Sequence, residues 1–279
     1  MGRKSLYESN ITVNDFHIPY QDHAVVKLVI RFIKDYQPDV ITINGDLMDW
    51  YGISKFAKSP LRYLSQAEIN DLERRKKNVV SVASQRELNE SFDTLVALRK
   101  ACHDAKIEYV FGNHEYRLDT FIMNNAPSLF DLRKPSERNG PAVMSIDSLL
   151  DFHNLEITKH YSGLKESWFK YGGLYIGHFN LVRKHSSWTA KALVEDKNVC
   201  ILQAHTHRGG SFYKSPLSTS LVGFENFCLC DLKPHYINNP NWQHGFSIVY
   251  KKRNGDRFHV HQIPIVDKTF IYEGKEYKA

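Results

Sequence analysis

Apolar residues in this chain come in short runs that stop abruptly on glycine, asparagine, aspartate or histidine. Residues 11–13 form one such run and end at Asn14-Asp15-Phe16-His17. Asp22 then offers an N-cap to a segment with Ala24, Val25, Leu28, Val29, Phe32 and Ile33 at helical spacing on one face. Pro38 closes that helix, and residues 40–43 follow as a second buried strand. The pattern predicts a β-α-β unit with parallel strands and a right-handed crossover. In the stretch VITINGDLMD, residues 40–49, the second strand runs straight into Gly45-Asp46, and a second carboxylate follows at Asp49. Open α/β sheets build sites at such carboxyl ends, although one Gly-Asp after an apolar run is usually only a turn.

Residues 50–60, WYGISKFAKSP, read as a surface loop, and residues 65–100 as helix in one or two pieces. The charged run ERRKKN at 73–78 reads as a solvated face, and Leu88, Phe92, Leu95, Val96 and Leu98 restore an apolar stripe. Residues 107–111 are a third strand, stopping on Gly112-Asn113-His114-Glu115. Residues 119–160 are expected to form short helices separated by Pro127, Pro135 and Pro141, as a lid over a site or a cover for a sheet edge. Residues 171–178 read as a hairpin whose second strand ends at Gly177-His178. A helix is expected over 188–196, and residues 199–204 are a buried strand ending at His205-Thr206-His207. The remainder is β-rich, at 220–232, 246–251 and 257–263, with an Asn254-Gly255 turn between the last two. Nothing marks a boundary or a repeat, so the expectation is a single α/β domain over residues 1–279 with two sheets.

Composition changes this picture little. Hydrophobic residues make up 42% and aromatics 13% of the 279 positions, as in ordinary globular proteins. The net charge of +6 is compatible with a phosphate-bearing partner but does not require one. Cys102, Cys200, Cys228 and Cys230 are too few for a disulfide framework. Cys228 and Cys230 alternate along FCLCDL and read as reduced small hydrophobes on one face. The first ten residues lack an apolar signal core and no run is long enough to span a bilayer. The expected location is a reducing cytoplasm, without a membrane partner.

The strand ends supply the candidate chemistry: Asp15 and His17, Asp46 and Asp49, Asn113 and His114, His178, then His205 and His207. Each alone has a cheaper explanation, an aspartate capping a turn or a hydrogen-bonded surface histidine. Five apolar runs ending the same way argue for a site. In Asp-x-His and His-x-His on an extended end, residues i and i+2 point the same way and can reach one point. Imidazole and carboxylate donors suit Mn, Fe, Zn or Ni, and not an all-oxygen Ca or Mg cage. No cysteine belongs to the set, which argues against a structural zinc site. More than four donors make two metals more economical than one, and Asp46 on the central motif is the natural carboxylate to bridge them.

Asp15-x-His17, Gly45-Asp46-x-x-Asp49, Gly112-Asn113-His114-Glu115, Gly177-His178 and His205-x-His207 resemble, in order, the five motifs of the calcineurin-like metallophosphoesterases. The resemblance spans residues 11–207. It implies a four-layer α/β/β/α sandwich with two mixed sheets and two divalent metal ions between the sheet ends, manganese foremost, with Fe, Zn or Ni as alternatives. It places Asp15, His17 and His207 on one metal and Asn113, His178 and His205 on the other, with Asp46 bridging. His114 becomes the catalytic histidine, and Asp49 and Glu115 orient ligands. Ala204 stands where the family usually has glycine, a change that removes no ligand. Two cations about 3.5–4 Å apart would clamp a phosphate oxygen and activate a shared water for in-line attack. Arg117, Arg183 and Arg208 are candidate phosphate contacts, or equally solvated surface residues.

The substrate is a phosphate ester, and three readings compete. The first is a phosphodiesterase or nuclease acting on DNA, RNA or nucleotides. It rests on the charge balance and on HFNLVRKHSSWTAK, residues 178–191, where Arg183, Lys184, His185 and Lys191 surround Trp188. Trp188 reads two ways, as a stacking surface or as a residue packing its helix on the core, and the second carries slightly more weight. The second reading is a phosphomonoesterase, including protein phosphatases, supported by Arg117 close behind Gly112-Asn113-His114-Glu115. The third, a binding protein without chemistry, fits poorly with a complete ligand set. Residues 241–246, NWQHGF, resemble phosphoesterases of bacteriophages and prophages, which implies work in a bacterial host cytoplasm. The oligomeric state stays open, a homodimer included.

Overall fold

A computed structural model describes residues 5–54, 64–162, 166–215, 220–234 and 239–279. β1 (Tyr7–Val13) begins before its apolar stretch, because Asn10 and Thr12 are buried polar residues, with Thr42 Oγ1 donating to Asn10 Oδ1. α1 (His23–Tyr36) starts where Asp22 Oδ1 accepts the Ala24 and Val25 amides, and stops as Gln37 turns left-handed ahead of Pro38. β2 (Val40–Asn44), with all five residues buried, pairs in parallel with β1. Residues 51–53 make one 3₁₀ turn, and residues 55–60 of the expected loop lie outside the described residues. The next helix is two: α2 (Gln66–Arg74), opened by a Ser65–Glu68 capping box, and α3 (Val79–Ala101), opened by Asn78. The charge run lies at their junction.

β3 (Lys106–Val110) and α4 (Glu115–Asn125) follow, then a 3₁₀ turn at 127–129, α5 (Ile146–Leu149) and β4 (Ile157–His160). Helices alone were expected over 119–160. Instead, the segment ends as an edge strand, β4 pairing in parallel with β3. β5 (Glu166–Tyr171) and β6 (Leu174–Phe179) form the hairpin, followed by α6 (Trp188–Lys197), β7 (Cys200–Gln203), β8 (Gly209–Lys214) and β9 (Leu221–Asn226). β10 (His244–Lys252) and β11 (Phe258–Ile265) turn at 254–255, and a last hairpin joins β12 (Thr269–Tyr272) to β13 (Lys275–Lys278).

Two mixed sheets result, ordered β11-β10-β1-β2-β3-β4 and β5-β6-β7-β9-β8. Val40 and Val249 of the first meet Leu174, Ile176, Leu202 and Phe224 of the second in a core between the sheets. α1 and α3 cover the outer face of the first sheet, and Leu193 and Val194 of α6 cover that of the second. This is the four-layer α/β/β/α sandwich. β1, β2 and β3 run parallel, as do β6, β7 and β9, so their carboxyl ends deliver side chains to one cleft edge.

Candidate metal centre

Five of the seven candidate ligands sit on left-handed backbone: Asp15 at φ 51°, His17 at 50°, Asp46 at 52°, His205 at 76° and His207 at 58°. Such strain in non-glycine residues costs on the order of 1–3 kcal/mol each and gathers at functional sites. It also corrects the extended-end reading. The His-x-His pair does not aim at one point, whereas the equally curled Asp15 and His17 stay together. His207 joins Asp15 and His17, whereas His205 joins Asp46 and His178, and each trio offers donor atoms within 4.8 Å of one another.

Asp46 Oδ2 lies 3.7 Å from His17 Nε2 and 3.3 Å from His178 Nε2, so it reaches both trios. Asn113 Oδ1 is 3.2 Å from His178 Nε2. The donor set fits two ions. Asp15 Oδ2 accepts from Asn14 Nδ2 and the His205 amide, leaving Oδ1 buried without a hydrogen-bond partner. Two imidazole nitrogens, His17 Nε2 and His207 Nε2, converge at 3.1 Å beside it. Asp15, His17 and His207 would hold one ion, and Asn113, His178 and His205 the other, with Asp46 shared. Ala204 is buried on ordinary backbone, its amide donating to Gly177 O, so this turn does not require glycine.

The electrostatics match a cation site. Burial opposes charge on His178, but Asp46 outweighs it and lifts the histidine to about 9. His207 also stands at about 9, with burial outweighed by Cys230 and Asp15. Burial and the neighbouring His178 push His205 down to about 4. Asp46 stays well below the usual carboxylate range, because His114 and His178 overcome its burial.

The supporting residues surround these ligands. Glu115 is fully buried and accepts four hydrogen bonds, from the amides of Asp46, Leu47 and Gly112 and from Tyr109 Oη. It thereby clamps the ends of β2 and β3 together, while burial and Asp46 push its carboxyl pKa up. Asp49 Oδ1 lies 3.3 Å from His17 Nδ1 and 3.1 Å from His114 Nδ1. The Asp49 carbonyl is also 3.0 Å from His114 Nδ1, so it directs His114 Nε2 toward Asp46 Oδ2, 3.8 Å away.

The three arginines separate. Arg117 donates to the Asp49 carbonyl and stands 2.9 Å from His114 Nε2. Arg183 is exposed. Arg208 is buried beside Glu225 and donates to the carbonyls of Arg183 and Lys184, so it ties the 183–184 loop to the His207 turn. Trp188 is not packed on the core but 54% exposed, its ring edge-on to His185.

Several contributors carried no local signal in the sequence. Asn14 bridges Asp15, the Phe227 carbonyl and Asn226. Cys230 Sγ sits 3.6 Å from His207 Nδ1, and Trp242 packs on the His207 ring. Glu87, in the middle of α3, accepts the Trp50 amide.

The fold and its paired carboxylate–imidazole clusters are those of metal-dependent phosphoester hydrolases. Residues 11–237 match the calcineurin-like phosphoesterase family, and the chain belongs to it. It is similar to the Gene 54 protein of Mycobacterium phage D29, 24% identical over 95% of this chain and 96% of the relative. The Gene 54 protein of Mycobacterium phage L5 is 23% identical over 96% of this chain and 98% of the relative. Among solved structures, a dimetal phosphatase from Danio rerio aligns with a TM-score of 0.40 and 11% identity, covering 91% of this chain and 95% of that one. Among the described residues no helix is long and apolar enough to cross a membrane.

Proposed function

We propose that the protein is a phosphodiesterase or nuclease acting on nucleic acid or nucleotides, working with two divalent ions, manganese foremost, in the cytoplasm of a bacterial host. The single observation carrying the diester reading is the surface beside His178. Trp188 is exposed, and Arg183, Lys184, His185 and Lys191 around it are exposed as well. Such a combination of cations and an aromatic face suits a phosphate backbone with stacking bases. Arg208 and Glu225 brace this surface against the metal-ligand turn, since Glu225 also accepts the Thr189 and Ala190 amides at the start of α6. The phage relatives support the cellular setting.

When bound, the ions supply Lewis-acid stabilisation of the phosphoryl group and activation of water. The chain's own residues do the rest. Asp49 holds His114 through Nδ1, so Nε2, with Arg117 2.9 Å away, would offset the charge developing on the leaving-group oxygen. Arg117, held against His114 and the Asp49 carbonyl, adds positive charge where the phosphate oxygens would lie. That placement also favours the second reading, a phosphomonoesterase, including a protein phosphatase.

The test offers bis(p-nitrophenyl) phosphate beside p-nitrophenyl phosphate to the Mn²⁺-loaded protein. Diester hydrolysis should dominate in kcat/KM, and a clear monoester preference would defeat the nucleic-acid reading.

A further inference from the structure

A groove of about 570 Å³ opens directly beside the metal centre, between the 3₁₀ turn at 51–53 and one face of α4. Its wall begins at the ligand Asn113 and at Arg117 and continues through Thr120, Phe121, Asn124 and Asn125. These follow helical i, i+3, i+4 spacing, so they form one continuous stripe, while Leu118 and Ile122 turn to the core. From Arg117 to Asn125 the stripe runs about 12 Å at 1.5 Å per residue. That is long enough to take a nucleoside whose phosphate rests at Asn113.

The chemistry of the stripe is unusual for a solvated helix face. Phe121 leaves 41% of its surface exposed, a ring open to the groove. Asn124 and Asn125 are exposed amides, each able to present a donor and an acceptor side by side, the arrangement that matches a base edge. Asn125 Nδ2 donates to the Phe121 carbonyl, which leaves the Asn124 amide as the better-placed reader. Among the described residues no acidic side chain lines the groove, so none of them repels a nucleotide's phosphate. An aromatic face beside amide edges, continuous with phosphate-binding residues, fits a nucleobase better than a peptide side chain or a sugar.

We infer that the groove between residues 51–54 and α4 is the base-binding subsite of the phosphoesterase centre, with Phe121 stacking on the nucleobase and Asn124 reading its edge. The inference rests on the nucleotide reading of the site, deepening it from a backbone-tracking surface to a specific nucleoside pocket. The subsite lies on α4, after β3 of the first sheet, whereas Trp188 opens α6, after β6 of the second sheet.

The test measures binding by calorimetry to the full-length, Mn²⁺-loaded protein, with adenosine 5′-monophosphate, phenyl phosphate and inorganic phosphate as probes. Adenosine monophosphate should bind at least tenfold tighter than inorganic phosphate. Phe121→Ala should remove most of that advantage, a loss on the order of tenfold given the usual strength of base–aromatic stacking, while leaving inorganic phosphate unchanged. Asn124→Ala should weaken the nucleotide but not phenyl phosphate, which has a ring and no hydrogen-bonding edge. Both residues are exposed, so a thermal melt should show wild-type folding. The inference is overturned if the nucleotide binds no tighter than inorganic phosphate, if both variants keep the advantage, or if phenyl phosphate matches the nucleotide in every protein. Hydrolysis of bis(p-nitrophenyl) phosphate by the same preparations is scored separately. Its absence would count against the diester reading, whereas the binding ratios judge the groove.

Discussion

Gly112 packs directly against Asp46, and this contact yields a sharp test. A Cβ on Gly112 would lie 2.1 Å from Asp46 Oδ1, 2.6 Å from the Asp46 amide nitrogen and 2.9 Å from its Cγ. Ordinary contact begins near 3.4 Å, so the Asp46 carboxylate would have to retreat by 1.3 Å. Gly112 is not in left-handed backbone, so alanine brings no conformational penalty there and displacement accounts for the cost. Asp46 cannot yield easily, because its Oδ1 accepts the His114 amide and its own amide is held by Glu115. The strain should fall on the position of Oδ2, the atom that reaches both ligand trios. Overpacking of this kind costs about 1–3 kcal/mol of stability, and a misplacement near 1 Å at a reacting centre costs about 100-fold in rate. Gly112→Ala should therefore fold with a lowered melting temperature, bind less than two equivalents of metal by elemental analysis, and lose about two orders of magnitude in phosphoester turnover. Gly255→Ala is the control, since its Cβ would meet only Lys252 Cδ at 3.7 Å. A Gly112→Ala protein with two metals and wild-type kcat would refute the assignment of Asp46 as the shared, immobile ligand.

Two further outcomes follow from the charges. In the metal-free protein His178 and His207 carry raised pKa values of about 9, so the stability they contribute is complete below the ordinary 6.5 and is lost as pH rises through 9. Metal binding needs them neutral, so calorimetric affinity for Mn²⁺ should tighten from pH 6 to pH 9 with proton release, and a pH-independent affinity would contradict this ligand set. Glu87 is the opposite case. Burial, then Asp49, push its carboxyl well above 4.5, and Oε2 has no partner. The unfolded chain ionises first, so folding loses stability as pH rises above 4.5, by about 1.4 kcal/mol per unit at most. Glu87→Gln keeps the acceptor for the Trp50 amide and should flatten the fall in denaturation midpoint between pH 5 and pH 8. An unchanged slope would show that Glu87 is not titrating in the fold.

What was legible in the sequence follows a physical rule. The strands at 40–43 and 107–111 and the cap at Asp22 were readable because burial on both faces and capping leave signatures within a few neighbouring residues. β8 and β4 were not, because an edge strand with no fully buried residue resembles any polar segment. In the same way Glu87 and Asn14 act across the fold, one through the Trp50 amide and the other through Asp15 and Asn226, and their neighbours in sequence say nothing of it. The convergence of the ligands was legible, but the route was not. The i, i+2 rule holds for Asp15 and His17, which share a trio, whereas His205 and His207 part company between the two.

Proximity along the chain misled most at the charged residues. Arg208 follows a ligand directly, yet its guanidinium is spent on Glu225 and two carbonyls, whereas Arg117, in the first turn of α4, stands against His114. A guanidinium beside a motif can either face the cleft or brace it, and only the buried partner decides which. Glu225 is that partner here: one buried carboxylate accepts the start of α6 and stands beside Arg208, which links the basic loop at 183–184 to the His205–His207 turn. The consequence for function is mechanical. The loop at 183–184 and the turn carrying His205 and His207 are joined through Arg208 and Glu225, two residues outside both ligand trios.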